Sequence, residues 1–149
     1  MQTFNLIISK TTIATMMEAL VWKYANAVDN DGNPKGVRNI KSDRVDDALD
    51  SLIVSGAWAK RTNEVVSMVR EFAGTVSGTD TITIAMTMPT RWNGKQATLQ
   101  SHVDKYILDG LMVVWFNVTA PTEAAIYITK LQNDVTDITT ELYTKGAPQ

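Results

Sequence analysis

The sequence predicts a mainly α-helical fold: a bundle of about five helices with a small β element, a strand or hairpin, around 81–88. Three observations carry this. Apolar side chains recur at helical spacing along most of the chain. The stretch 81–88 switches to a two-residue period. The composition is that of an ordinary folded domain, with 44% of 149 residues hydrophobic and 20% charged. That length suits one domain, 1–149, around a single core.

Ile13, Met16, Met17, Leu20, Val21, Tyr24 and Val28 form the first helical stripe. Ser9 or Thr11 can cap its start, because a hydroxyl accepts from the free amides of a first turn. The turn formers Asp29, Asn30, Asp31, Gly32, Asn33 and Pro34 end it. Ser42 can cap a second helix, with Asp43, Asp46 and Asp47 near its positive end and Val45, Leu49, Leu52 and Ile53 on its apolar side. Val65, Val66, Val69 and Phe72 mark a third. At about 100° per residue, that stripe would face away from the preceding one on a single straight helix. A break is therefore expected near Ser55-Gly56, with a restart at Thr62 and an end at Ala73-Gly74.

In 81–88, Ile82, Ile84, Met86 and Met88 alternate with Thr81, Thr83, Ala85 and Thr87, the pattern of a half-buried strand. Pro89 ends it or places it at a sheet edge. A lone strand needs a partner. Three are available: the N-terminal stretch, where Phe4, Leu6 and Ile8 alternate with Thr3, Asn5 and Ile7; a hairpin across Asn93-Gly94, a pair suited to a type I′ turn; or a strand from another copy. The next helix follows Asn93-Gly94, with Leu99, Val103, Tyr106, Ile107, Gly110, Leu111, Val114, Trp115 and Val118 on its apolar face. From 107 to 118 only Asp109 and Asn117 interrupt apolar or small residues, which makes this the central helix. The last helix opens with Pro121 and Glu123 and carries Ala124, Ile128, Leu131, Val135, Ile138 and Leu142 as a heptad seam. Lys145, Gly146 and Pro148 stop it. The short link before Pro121 makes these two helices antiparallel neighbours.

The absence of cysteine removes disulfides, thiolate metal sites and cysteine nucleophiles, and a single histidine excludes a multi-histidine metal site within one chain. A formal net charge of -2 does not suggest general nucleic-acid binding. Asp29, Asn30, Asp31, Gly32 and Asn33 match the opening of an EF-hand calcium loop. The match fails at Pro34, Gly36 and Ile40, where a glycine, a branched apolar residue and a bidentate glutamate belong, so a helix-ending turn is expected. His102 lies beside Ser101 and Asp104 at spacings that cannot align a catalytic triad. The pairs Asp43/Asp47 and Asp46/Asp50 read as helix-start electrostatics on a solvated face. Lys35, Arg38, Lys41 and Arg44 read as a solvated loop, although DNA or an acidic protein could meet them. No phosphate loop, nucleophile elbow or catalytic carboxylate pair is evident, so neither enzymatic activity, a cofactor nor a small-molecule substrate is expected. The first ten residues lack a secretory pattern. The longest apolar run, at 110–116, falls far short of the roughly 20 residues of a membrane span, so cytosolic synthesis without a membrane partner is expected.

Of the four tryptophans, Trp115 lies on an apolar face and Trp22 at the edge of the first stripe. Trp58, after the break, and Trp92, in a turn, are candidate partner contacts or caps over the bundle end. The run Met88-Pro89-Thr90-Arg91-Trp92-Asn93-Gly94, followed by Leu99, Tyr106, Trp115, Pro121, Glu123, Ala124, Tyr127, Leu142, Tyr143 and Pro148, resembles small structural proteins of tailed-bacteriophage and prophage virions. The resemblance covers residues 81–148. It implies a neck, head–tail connector or tail component, a helical bundle with an extended strand or hairpin. Such a protein assembles as a homo-oligomeric ring beside other virion proteins, is made in the host cytoplasm and resides in the virion. Strand addition between neighbours would suit it, with Ile82, Ile84, Met86, Met88, Arg91, Trp92 and Trp58 as the expected assembly contacts. The alternative is a small helical regulatory or host-directed binding protein, acting as a monomer or dimer.

Overall fold

The computed structural model describes residues 2–26, 56–119 and 121–145. In chain order these form β1 (Gln2–Ser9), α1 (Lys10–Asn26), α2 (Ala57–Met68), β2 (Ala73–Ser77), β3 (Thr81–Met88), α3 (Gln96–Thr119) and α4 (Pro121–Leu142). The fold is mainly helical with one small antiparallel sheet. Four helices occur among the described residues; the helix expected over Val45, Leu49, Leu52 and Ile53 lies outside them.

The strand at Thr81–Met88 is present, and it is the middle one of three, in the order β1-β3-β2. Of the three partners considered, the N-terminal stretch is the one that pairs, from Gln2 opposite Met88 to Ser9 opposite Thr81. Both neighbours of β3 come from its own chain, so it has no free edge to offer another copy. The Asn93-Gly94 hairpin does not form. A type I′ turn needs positive φ at both residues, and neither has it. The hairpin lies on the other side of β3, at β2, where the sequence pattern indicated only a helix end at Ala73-Gly74. Gly78 closes that turn at φ 96, and a Cβ there would run into the Thr81 carbonyl.

Alternation explains the sheet's two faces. Leu6, Ile8, Ile82, Ile84, Met86 and Met88 are buried inward, while Thr81 and Thr87 face solvent. Helix α1 follows β1 without a loop, and the Thr12 amide donates to Ser9 Oγ at 3.4 Å, the cap expected for this start. It buries Ile13 and Met17 and leaves Met16 exposed. Helix α2 starts directly after Gly56, which is left-handed at φ 88, and its first residue is Ala57 rather than the expected Thr62. Thr62 instead sits buried inside the helix, its hydroxyl donating back to the Trp58 and Ala59 carbonyls at 3.0 and 3.1 Å.

Helices α3 and α4 pack antiparallel, with Phe116 against Tyr127 near the link and Lys105 beside Asp134 further along. The buried seam of α4 is Ala124, Tyr127, Leu131, Asp134, Ile138 and Leu142. Tyr127 and Asp134 occupy places assigned by spacing to Ile128 and Val135, which are instead 45% and 38% exposed. Trp115 is half-buried, and the adjacent Phe116 is the one that points fully into the core. Leu111 is fully buried at the centre of α3. Leu111→Ala should therefore cost about 2–5 kcal/mol in urea unfolding. A loss below about 1 kcal/mol would mean that α3 is not the central helix.

Candidate functional site

The expected assembly contacts were Ile82, Ile84, Met86, Met88, Arg91, Trp92 and Trp58. Six of the seven side chains belong to the chain's own core. Ile84 and Met88 are fully buried, Met86 is 1% exposed and Ile82 7%. The period-two pattern gave the correct face but the wrong partner: this face packs on the chain's own helices. Trp58 anchors α2 to the β2–β3 hairpin, its indole Nε1–H donating to the Thr79 carbonyl at 2.9 Å. Only Arg91 remains exposed.

Trp92 is a clasp between the two ends of the described fold. Its indole Nε1–H donates to the Glu141 carbonyl at 2.8 Å, at the end of α4, and its ring stacks on Phe4 at 5.4 Å. Gln2 Nε2 donates to the Trp92 carbonyl at 2.9 Å, and the Asn93 amide donates to the Thr144 carbonyl at 2.9 Å. The bare Cα of Gly94 leaves room for the indole, since a Cβ there would lie 2.5 Å from it. Of the two readings of Trp92, a partner contact or a cap over the bundle end, the geometry matches the cap, an internal lock.

Two features are more unusual than these. The first is a pair of buried carboxyl groups between the long helices. Asp109 of α3 is 3% exposed and Asp134 of α4 is 1% exposed. With both carboxyls ionised, Asp109 Oδ2 and both oxygens of Asp134 lack a hydrogen-bond donor among the described residues. Lys105 Nζ stands 3.5 Å from Asp134 Oδ1, an ion-pair distance. Burial pushes the Asp109 carboxyl up to about 8, and the adjacent Asp134 adds to this as a hydrogen-bonding neighbour and a like charge, against the pull of Lys105 and Lys130. Lys130 also lies over the Tyr127 ring, 4.4 Å from its centre. Sequence reasoning missed this pair, although Asp109 stood out as an acid inside an apolar run.

The second feature is the outer edge of β1. Gln100 of α3 bonds both backbone groups of Ile7: the Ile7 amide donates to Gln100 Oε1 at 2.8 Å, and Gln100 Nε2 donates to the Ile7 carbonyl at 2.6 Å. Gln96 Nε2 donates to the Asn5 carbonyl at 3.4 Å. Nothing in the sequence pattern marked these glutamines.

His102 is half-buried on α3, and Asp104 accepts from Gln100 Nε2 at 3.0 Å. The calcium-like turn at Asp29, Asp31 and Asn33, the acidic pairs of Asp43, Asp46, Asp47 and Asp50, and the basic residues Lys35, Arg38, Lys41 and Arg44 lie outside the described residues. Among those described, no group of acids or histidines is placed to hold a metal, and no helix is long and apolar enough to cross a membrane. Comparison with family models, curated proteins and solved structures gives no match.

Proposed function

We propose that the chain is a structural subunit of a tailed-phage virion, a ring-forming neck, head–tail connector or tail component that works by protein–protein assembly. The observation that supports this reading best is where the resembling residues lie. Trp92, Leu99, Tyr106, Ala124, Tyr127 and Leu142 come from separate segments, yet all are buried in one apolar core. The pattern therefore acts as a fold-determining one, a helix pair with an extended strand, as in the proteins it resembles. Exposed apolar side chains fit an assembly role as well: Ile128 and Val135 stand one heptad apart on α4, Ile7 on β1 and Val76 on β2.

The test is the assembly state. Native mass spectrometry of the purified protein should show one closed ring number, and the chain should copurify with assembled particles. A small soluble species that stays out of particles and captures a host protein would replace this reading with that of a regulatory binding protein.

A further inference from the structure

An edge strand turns one row of backbone groups away from its partner, and an uncovered row invites a further strand. In β1 this row includes Asn5 and Ile7, and α3 reaches over it with Gln96 and Gln100. The Gln100 side-chain amide donates to the carbonyl of Ile7 and accepts from its amide. An adjacent strand makes the same pair of bonds to an edge residue. Asp104 Oδ1 accepts from Gln100 Nε2 at 3.0 Å and steadies it there. A shallow groove runs beside the edge, lined by Asn5, Ile7, Ser9, Thr12 and Gln100. The opposite edge of the sheet is different. β2 is exposed from Gly74 through Ser77 and carries no such cover among the described residues.

We propose that the β1 edge is a gated strand acceptor, in which Gln100 holds the place of an incoming strand and yields to β2 of a second copy of this chain. This rests on the reading of the protein as a ring-forming subunit. The two edges differ in the way a head-to-tail contact requires, one gated and the other bare. Both β1 and β2 run antiparallel to β3, so they run parallel to each other. A neighbour's β2 laid beside β1 in the same direction continues the sheet. Each copy then uses a different edge on each side, a heterologous contact that closes into a ring when the rotation permits. The exchange replaces the two Gln100 bonds with backbone bonds, so hydrogen bonding is close to balanced. The net gain comes from covering Ile7 and Val76, now 49% and 42% exposed. The gate keeps the acceptor closed until a strand with matching side chains arrives.

The chain has no cysteine, so introduced thiols report this contact alone. Ile7 and Ser77 both pair with Thr83 and share the outer face of the sheet, with β3 between them. Two strand spacings, about 9–10 Å, are too far for a disulfide inside one copy. The double variant Ile7→Cys/Ser77→Cys, oxidised while assembled, should give a ladder of covalent oligomers. A mixture of the two single variants should stop at a covalent dimer, and neither single variant alone should crosslink. Self-crosslinking of Ser77→Cys or Ile7→Cys would instead mean that like edges meet, and the proposal fails. Rings that form without crosslinks leave the assembly reading intact and overturn this contact; failure of the natural protein to form any oligomer, alone or in particles, overturns both. Gln100→Ala should keep native circular dichroism and assemble at about tenfold lower concentration, the equivalent of roughly 1.4 kcal/mol. An unchanged or higher concentration would show that Gln100 is no gate.

Discussion

Asp109→Asn should stabilise the protein by several kcal/mol at pH 8 and leave it nearly unchanged at pH 4. An unfolded aspartate releases its proton near pH 4, whereas folded Asp109 keeps its proton until about 8. Between these values the native state binds one more proton than the unfolded state. Stability is therefore fully present below about pH 4 and falls as pH rises toward 8. The slope is at most about 1.4 kcal/mol per pH unit, a ceiling of roughly 5 kcal/mol over the window. Asparagine is neutral throughout, and its amide can donate to Asp134 as the protonated acid would. Urea unfolding midpoints from pH 4.5 to 8.5 should slope downward for the natural protein and lie flat for the variant. Equal slopes would mean that Asp109 ionises normally in the folded state.

Trp92→Ala should cost about 3–5 kcal/mol, the usual loss for deleting a buried tryptophan. The variant loses the stacking on Phe4 and the bond to the Glu141 carbonyl together. The milder Trp92→Phe keeps an aromatic ring but loses the indole donor and part of the ring volume, at about 1–3 kcal/mol. Urea unfolding separates the two, and a neutral Trp92→Ala would mean that the clasp is not formed in solution. An assembly defect in Trp92→Ala reports damage to the fold first. Exposed positions such as Ile7 and Ser77 are better probes of the proposed assembly than Trp92.

Much of the architecture was legible because it rests on periodicity. The stripe through Ile13 and Met17 marked α1, the alternation from Ile82 to Met88 marked β3, and Pro121 with Glu123 marked the start of α4. Failures came where one residue had two roles to choose from. Ile128 and Val135 fit a heptad as well as Tyr127 and Asp134 do, and hydrophobicity favours the wrong pair. Tyr127 wins because its ring packs against Phe116, a contact that only the paired helix supplies. β2 was hidden because Thr75 and Val76 are flanked by Ala73, Gly74 and Ser77, too short a run of strand formers to stand out, and the strand exists only through pairing with β3. The candidate site was least legible. Burial of Ile84 and Met88 follows from their alternation, but which surface covers them is a tertiary fact. The role of Gln100 depends on a strand more than ninety residues away, and no local signal encodes that.

The distance between β1 and its partner also has a consequence during synthesis. β1 is made before β3, the strand that pairs with it, which follows roughly eighty residues later, several seconds at common elongation rates. The glutamine that covers its outer edge is made later still. Until then the alternating apolar side chains of β1 have no partner strand to cover them. Contacts so distant in sequence are slow to form, so this interval is when aggregation competes with folding. A factor that shields Gln2–Ser9 on the ribosome should raise the yield of soluble protein more than one acting after release.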